Sequence, residues 1–182
     1  MTVIELIESC AQTLDAAGVA YGHGTTNAFD EAAWLVLWKL HLPLDELDAV
    51  KDQRVSKGSQ REVEHLIQER ITSRKPAAYL TQEAWLQGIP FYVDERAIVP
   101  RSFIAELLID GSIDYWLGEH TQKVLDLCTG NGSLAVLAAA TYPDVTVDGA
   151  DLSPDALDVA RINVQKHGLM DRIHLIESDG LN

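Results

Sequence analysis

The feature that most constrains the chain begins near Lys123. "KVLDLC" is followed by "TGNGS" and then by "LAVLAAATY". An apolar stretch of strand length that feeds a two-glycine turn and then a small-residue helical run reads as strand, tight loop and helix. "VTVDGAD" follows as a second strand. "SPDALDVARINVQKHG" follows as a helix, with Ser153 as N-cap and Pro154 at its first position. "RIHLIESD" supplies a third strand. Strands alternating with helices of this length predict βαβ units and a parallel sheet.

The first part, to about Gly88, predicts helices instead. Thr2 and Glu5 form a capping-box pattern, and Val3, Leu6, Ile7, Cys10 and Leu14 share one helical face. Gly18 stops that helix. A second helix is expected from Asn27 to about Leu40, with Ala28, Ala32, Leu35 and Val36 inward. Asp45 to Gly58 reads as a short helix and a loop. A third helix is expected to open on Ser59 and Glu62, to bury Val63, Leu66, Ile67 and Ile71, and to close before Pro76. Trp34 and Trp38, at helical spacing, read as core rather than as binding aromatics. "IPFYVDERAIVP" reads as a hairpin with Asp94-Glu95-Arg96 at its tip, and a helix is expected from Ser102 to Leu117. The expected organisation is a helical domain over 1–88, a hairpin linker over 89–100 and a cofactor-binding half-domain over 101–182.

The loop from Asp126 to Gly132 carries the chemistry. Gly130 and Gly132 allow a tight turn and close approach of the backbone to a ligand. Ala135 stands where a dinucleotide fingerprint has its third small residue. Asp151 ends the second strand about 19 residues after Gly132, where an acid grips ribose hydroxyls in such folds. The set as a whole points to an adenosine cofactor. Charge decides which one. A pyrophosphate favours helix-terminal amides without nearby acid, whereas Asp126, Asp151 and Asp179 all fall near the carboxyl ends of strands. S-adenosylmethionine brings a sulfonium, an ammonium and one carboxylate, which suits that field. Asp126 is assigned to the methionyl amino group, Asp151 to the ribose hydroxyls and Asp179 to the adenine amino group. The alternative for Asp179 is a turn or N-cap aspartate, and Asp126 has a purely structural alternative too. Cys128, Thr129, Asn131 and Leu152 complete the expected cofactor set. No His, Cys or carboxylate in the chain reads as a catalytic base.

"VLDLCTGNGSLAVLAA", "DLSPDALDVARINVQKHGL" and "RKPAAYLTQEAWLQGIPFYVDERAIVPRSFIAELL" resemble the HemK-like protein-(glutamine-N(5)) methyltransferases. The resemblance covers nearly the whole chain and is most specific from Arg74 to Leu169. The Cys128-Thr129 loop and "AWLQG" look most like the branch that modifies large-subunit ribosomal protein number three. The resemblance implies an α/β fold: an N-terminal helical domain that helps choose the protein substrate, then a class I methyltransferase (Rossmann-like) parallel sheet that is C-terminally incomplete. It also implies that Pro100 to Phe103 approach the cofactor pocket, with Arg101 in the site; its alternative is an ordinary surface charge. The family's Asn-Pro-Pro-Tyr motif, which holds the glutamine amide, does not occur in this chain. No catalytic residue is therefore assigned. The chain is expected not to methylate glutamine by itself, and to self-associate through an exposed sheet edge.

Other classes are disfavoured. With 28 acidic against 14 basic residues the net charge is −14, so tight nucleic-acid binding is not expected and a basic protein partner is. The apolar runs Ala32 to Trp38 and Leu134 to Ala140 are too short to span a bilayer. Met1 to Cys10 lacks a signal-peptide pattern. Cys10 and Cys128 show no metal spacing, and a reduced, cytoplasmic compartment is expected. The competing readings are a release-factor glutamine methyltransferase, a nucleic-acid adenine or cytosine N-methyltransferase, a non-catalytic S-adenosylmethionine-binding fragment, and a nicotinamide-dependent dehydrogenase.

Overall fold

A computed structural model describes residues 1–118 and 120–181. Asn182, the last residue of the expected half-domain, lies outside the described residues. The chain divides into two compact units, Met1–Thr81 and Gln82–Asn182.

The first unit is helical: α1 (Val3–Ala16), α2 (Ala28–Lys39), α3 (Leu47–Val50), α4 (Lys57–Ser73) and α5 (Ala77–Thr81). The Thr2–Glu5 capping box forms at the start of α1, and the five expected residues of that helix are buried. Asn27 caps α2 through the amide of Asp30. α4 begins earlier than expected because Ser56, rather than Ser59, accepts the amide three residues on, that of Ser59. Trp34 and Trp38 pack against the core, as their spacing suggested. A buried ion pair crosses this unit. Arg70 Nε donates to Glu31 Oε1 at 2.8 Å. Thr25 Oγ1 donates to the other Glu31 oxygen at 2.9 Å, and Arg70 Nη2 reaches the Ala20 carbonyl at 2.8 Å. The 17–26 loop is thereby tied to α4, and Arg74 adds bonds to the carbonyls of Ala17 and Gly18.

The second unit opens with a hairpin that differs from the expected one. β1 (Glu83–Leu86) pairs antiparallel with β2 (Ile89–Tyr92), so the hairpin begins before residue 89 and only its second strand falls within 89–100. Gln87 (φ 51°) and Gly88 (φ 73°) supply the two positive φ values that a tight primed turn requires. Asp94-Glu95-Arg96 does form a turn, closed by Ala97 N donating to Asp94 O at 3.1 Å, but no strand follows it. The helix expected over 102–117 is only α6 (Phe103–Ile109), then a short 3-10 turn over Asp114–Trp116. Gly111 at φ 74° breaks it, and the Asp110 carboxylate takes the Ser112 amide at 2.8 Å.

The sheet follows as expected: β3 (Lys123–Leu127), α7 (Ser133–Thr141), β4 (Thr146–Asp151), α8 (Pro154–Lys166) and β5 (Ile173–Glu177), with all strands parallel in the order β3-β4-β5. Both crossovers advance in the same direction, so right-handed connections place α7 and α8 on one face. Val147 and Ile173 are buried, and Val124 packs with them under α7. On the other face Leu125, Leu127 and Ile176 remain 49%, 42% and 43% exposed. β3 was expected to be a buried strand; it is half-exposed because it ends the sheet among the described residues. No helix among the described residues is long and apolar enough to cross a membrane.

Candidate functional site

The carboxyl end of β3 leads into the loop through Cys128, whose φ of 61° is left-handed. Cys128 is exposed. Thr129 turns inward and fixes the loop at two points: its amide donates to Ala150 O of β4 at 2.9 Å, and its hydroxyl donates to Asp126 Oδ2 at 2.6 Å. Gly130 (φ 55°) donates its amide to Asp151 Oδ2 at 2.8 Å. A Cβ there would meet nothing within 4 Å, so this side of the loop is open to a ligand. Gly132 (φ 78°) is the N-cap of α7 and is confined: a Cβ would come within 3.0 Å of Ala160 Cβ on α8. The two glycines thus have different reasons, one open space and one close packing.

Gly132 has no side chain with which to cap α7. The Asp126 carboxylate lies near the start of that helix, where the Ala135 amide favours its charged form. Burial pushes the Asp126 carboxyl above its usual range; the Thr129 bond and the Ala135 amide oppose the rise, and the charge of Asp151 adds to it. The structural alternative for Asp126 is therefore real, but a carboxylate has about four lone-pair sites and these two donors leave others free.

Asp151, the last residue of β4, accepts Gly130 N at one oxygen and Ser153 N at the other, at 2.8 and 3.0 Å. Leu152 beside it is 64% exposed. Asp151 is in register with Glu177 at the end of β5. Register partners on neighbouring parallel strands point to the same side, so Glu177 adds a negative charge that sequence reasoning passed over. Its signal was visible, since an acid ends each of these two strands. Asp179 lies two residues past β5 and is exposed, as is Arg101. Neither side chain bonds to the loop among the described residues, whereas Asp126, Thr129, Gly130, Asn131, Gly132 and Asp151 lie in the loop or bond to it. Asn131 is 3% exposed. Its Oδ1 accepts Ser133 N at 3.3 Å, while its Nδ2 is buried without an acceptor among the described residues. An unmet buried donor beside an open loop fits a ligand bearing an acceptor.

The hairpin also reaches this region. Tyr92 N and O both bond to the Asn163 amide of α8, and Ala97 packs on Ala156 and Val159 nearer the start of that helix. The chain from β2 thus runs along α8 toward its N-terminus, beside Asp151, before it enters Pro100 to Phe103.

Residues 108–182 match the family model for the methyltransferase small domain. Relatives described as ribosomal protein uL3 glutamine methyltransferases match almost the whole chain. The one from Burkholderia pseudomallei is 51% identical over 98% of this chain and 58% of its own length. That from Bordetella pertussis is 52% identical over 96% of this chain and 59% of its own, and that from Neisseria meningitidis serogroup B is 47% identical over 98% and 59%. Over nearly its whole length the chain is thus similar to proteins described as ribosomal protein uL3 glutamine methyltransferases. It spans slightly under three-fifths of the length of these relatives. The matched part of this chain holds the glycine loop, its anchoring acids and the hairpin.

Proposed function

We propose that this chain binds S-adenosylmethionine as part of an enzyme that methylates the side-chain amide nitrogen of a glutamine in ribosomal protein uL3. One observation carries the cofactor reading. The open side of the loop at Gly130 lies among the carboxylates of Asp126, Asp151 and Glu177, with no compensating cation bonded to them among the described residues. Such a field attracts a cationic ligand and repels a diphosphate. Asp126 holds the methionyl ammonium. Asp151 holds the ribose hydroxyls with the lone pairs left over from Gly130 and Ser153. Asp179, Leu152 and Arg101 are assigned to the rim of the site. Cys128 shapes the loop through its left-handed backbone.

The bound cofactor supplies an activated methyl group. The chain's own residues bind and orient it. No side chain described here removes a proton, and none is assigned as catalytic. The net charge of −14 suits a basic ribosomal-protein substrate, and the cytoplasm is the compartment where such a substrate is met. The identity of the relatives supports the uL3 substrate; the acidic surface disfavours nucleic acid. Calorimetric titration of the chain with S-adenosylhomocysteine and, separately, with NAD tests the reading. Binding of the first and not the second is expected, and the reverse pattern refutes it.

A further inference from the structure

One side chain joins the cofactor loop to the hairpin. Asn163 on α8 is 0% exposed. Its Nδ2 donates to the Asn131 carbonyl in the loop and to the Tyr92 carbonyl in β2, both at 2.9 Å. Its Oδ1 accepts the Tyr92 amide at 2.7 Å. Both amide hydrogens and the carbonyl of this side chain are therefore committed to backbone groups. One turn further on, at the C-cap of α8, His167 Nε2 meets the Pro90 carbonyl at 3.1 Å. α8 and its C-cap thus grip β2 at two points, but of these two side chains only Asn163 also grips the loop. Ala160, three residues before Asn163, is the residue against which Gly132 is pressed. One stripe of α8 therefore supports the loop by contact and fixes it by hydrogen bonds.

We propose that Asn163 is a positioning residue for the cofactor site. It sets the Asn131 carbonyl, and so the course of the backbone from Gly130 to Gly132, and it couples that course to the position of the hairpin strand. The proposal rests on the cofactor reading above. The chemistry is exacting. Aspartate would place carboxylate oxygens against two carbonyls. Alanine would leave two carbonyls and an amide unpaired in a buried place. Any displacement of β2 is transmitted to the loop, because the same amide group holds both. Tyr92 extends the path outward, since its hydroxyl donates to Asp94 at 2.8 Å and Asp94 in turn organises the Arg96 turn.

The test combines amide hydrogen exchange with calorimetry on the full chain. Wild type, Asn163→Ala and His167→Ala are compared first without ligand. Asn163→Ala is expected to raise exchange in both the 89–93 and the 129–134 segments, whereas His167→Ala raises it only in 89–93. S-adenosylhomocysteine affinity is expected to fall roughly tenfold in Asn163→Ala and to stay within about twofold in His167→Ala. A structural role alone would lower the melting temperature of Asn163→Ala and leave its affinity unchanged, which would overturn the proposal. So would loosening of the hairpin with an unaltered loop. If Asn163→Ala does not fold, the wild type decides: saturating ligand must slow exchange at the Tyr92 amide, and unchanged protection there rejects the coupling. Failure of wild type to bind S-adenosylhomocysteine would sink the cofactor reading instead, while the ligand-free exchange comparison still judges the tie.

Discussion

Replacing Asp126 by Asn separates the two tasks assigned to that residue. The side chain accepts the Thr129 hydroxyl at 2.6 Å, and the nearby Ala135 amide favours its charged form. Asparagine keeps an acceptor oxygen of the same reach and caps helices about as well as aspartate, so the fold should persist. What is lost is the charge. A hydrogen bond to a charged group contributes about 1.5–3 kcal/mol, and each 1.4 kcal/mol is about tenfold in affinity. Asp126→Asn should therefore weaken S-adenosylhomocysteine binding by roughly 10- to 100-fold. Stability should move the other way. Burial raises the folded carboxyl above its unfolded value, so the ionised form is a burden at neutral pH that asparagine removes. The melting temperature of the variant should equal or exceed that of wild type. For the same reason wild-type affinity should begin to fall, as pH is lowered, at a higher pH than an ordinary aspartate would give. Calorimetry and thermal melts at neutral pH check both arms. Affinity within about threefold of wild type, or a clearly lower melting temperature, would refute the division of labour.

Gly132→Ala should lose more stability than Gly130→Ala in thermal melts, because both incur left-handed strain of about 1–2 kcal/mol but only Gly132 is also pressed against Ala160; equal losses would contradict the packing argument. Arg70→Met leaves the Glu31 carboxylate buried without its partner and should cost about 3–5 kcal/mol in urea unfolding, whereas a loss under about 1 kcal/mol would show that water reaches the pair. Burial holds the His167 imidazole below its usual value, so its contribution to stability is present above the unfolded pKa and is lost as pH falls through the folded one. His167→Ala should flatten that part of the stability curve, and an unchanged slope would remove His167 as its source. The bare face with Leu125, Leu127 and Ile176 should drive self-association between copies in sedimentation, and a monomer at high concentration would show that this surface is tolerated.

Local signals carried far in this chain. The capping box at Thr2, the Asn27 cap and the Ser153-Pro154 start all formed as their side-chain chemistry dictates, and the three sheet strands fell where strand and helix periods alternate. The hairpin was displaced because its turn is Gln87-Gly88. Glutamine is an uncommon left-handed residue, so the eye goes to Asp94-Glu95-Arg96, which is a turn without a second strand. Within the site, the placement of Asp126 and Asp151 beside the loop could be read from chain order alone. The bond from the Thr129 hydroxyl to Asp126 could not, because it depends on how the loop turns back on the end of β3. Asn163 was hidden for the same reason. An Asn inside a helical run ordinarily reads as a solvent-facing polar residue, and only the fold brings Tyr92 and Asn131 to it.

A crystal of the chain grown with S-adenosylhomocysteine tests the central claim most directly. The ligand should lie over Gly130 with its amino group against Asp126 and its ribose hydroxyls on Asp151. A ligand seated away from this loop, or a diphosphate accommodated across residues 129–133 in a parallel NAD soak, would contradict the account.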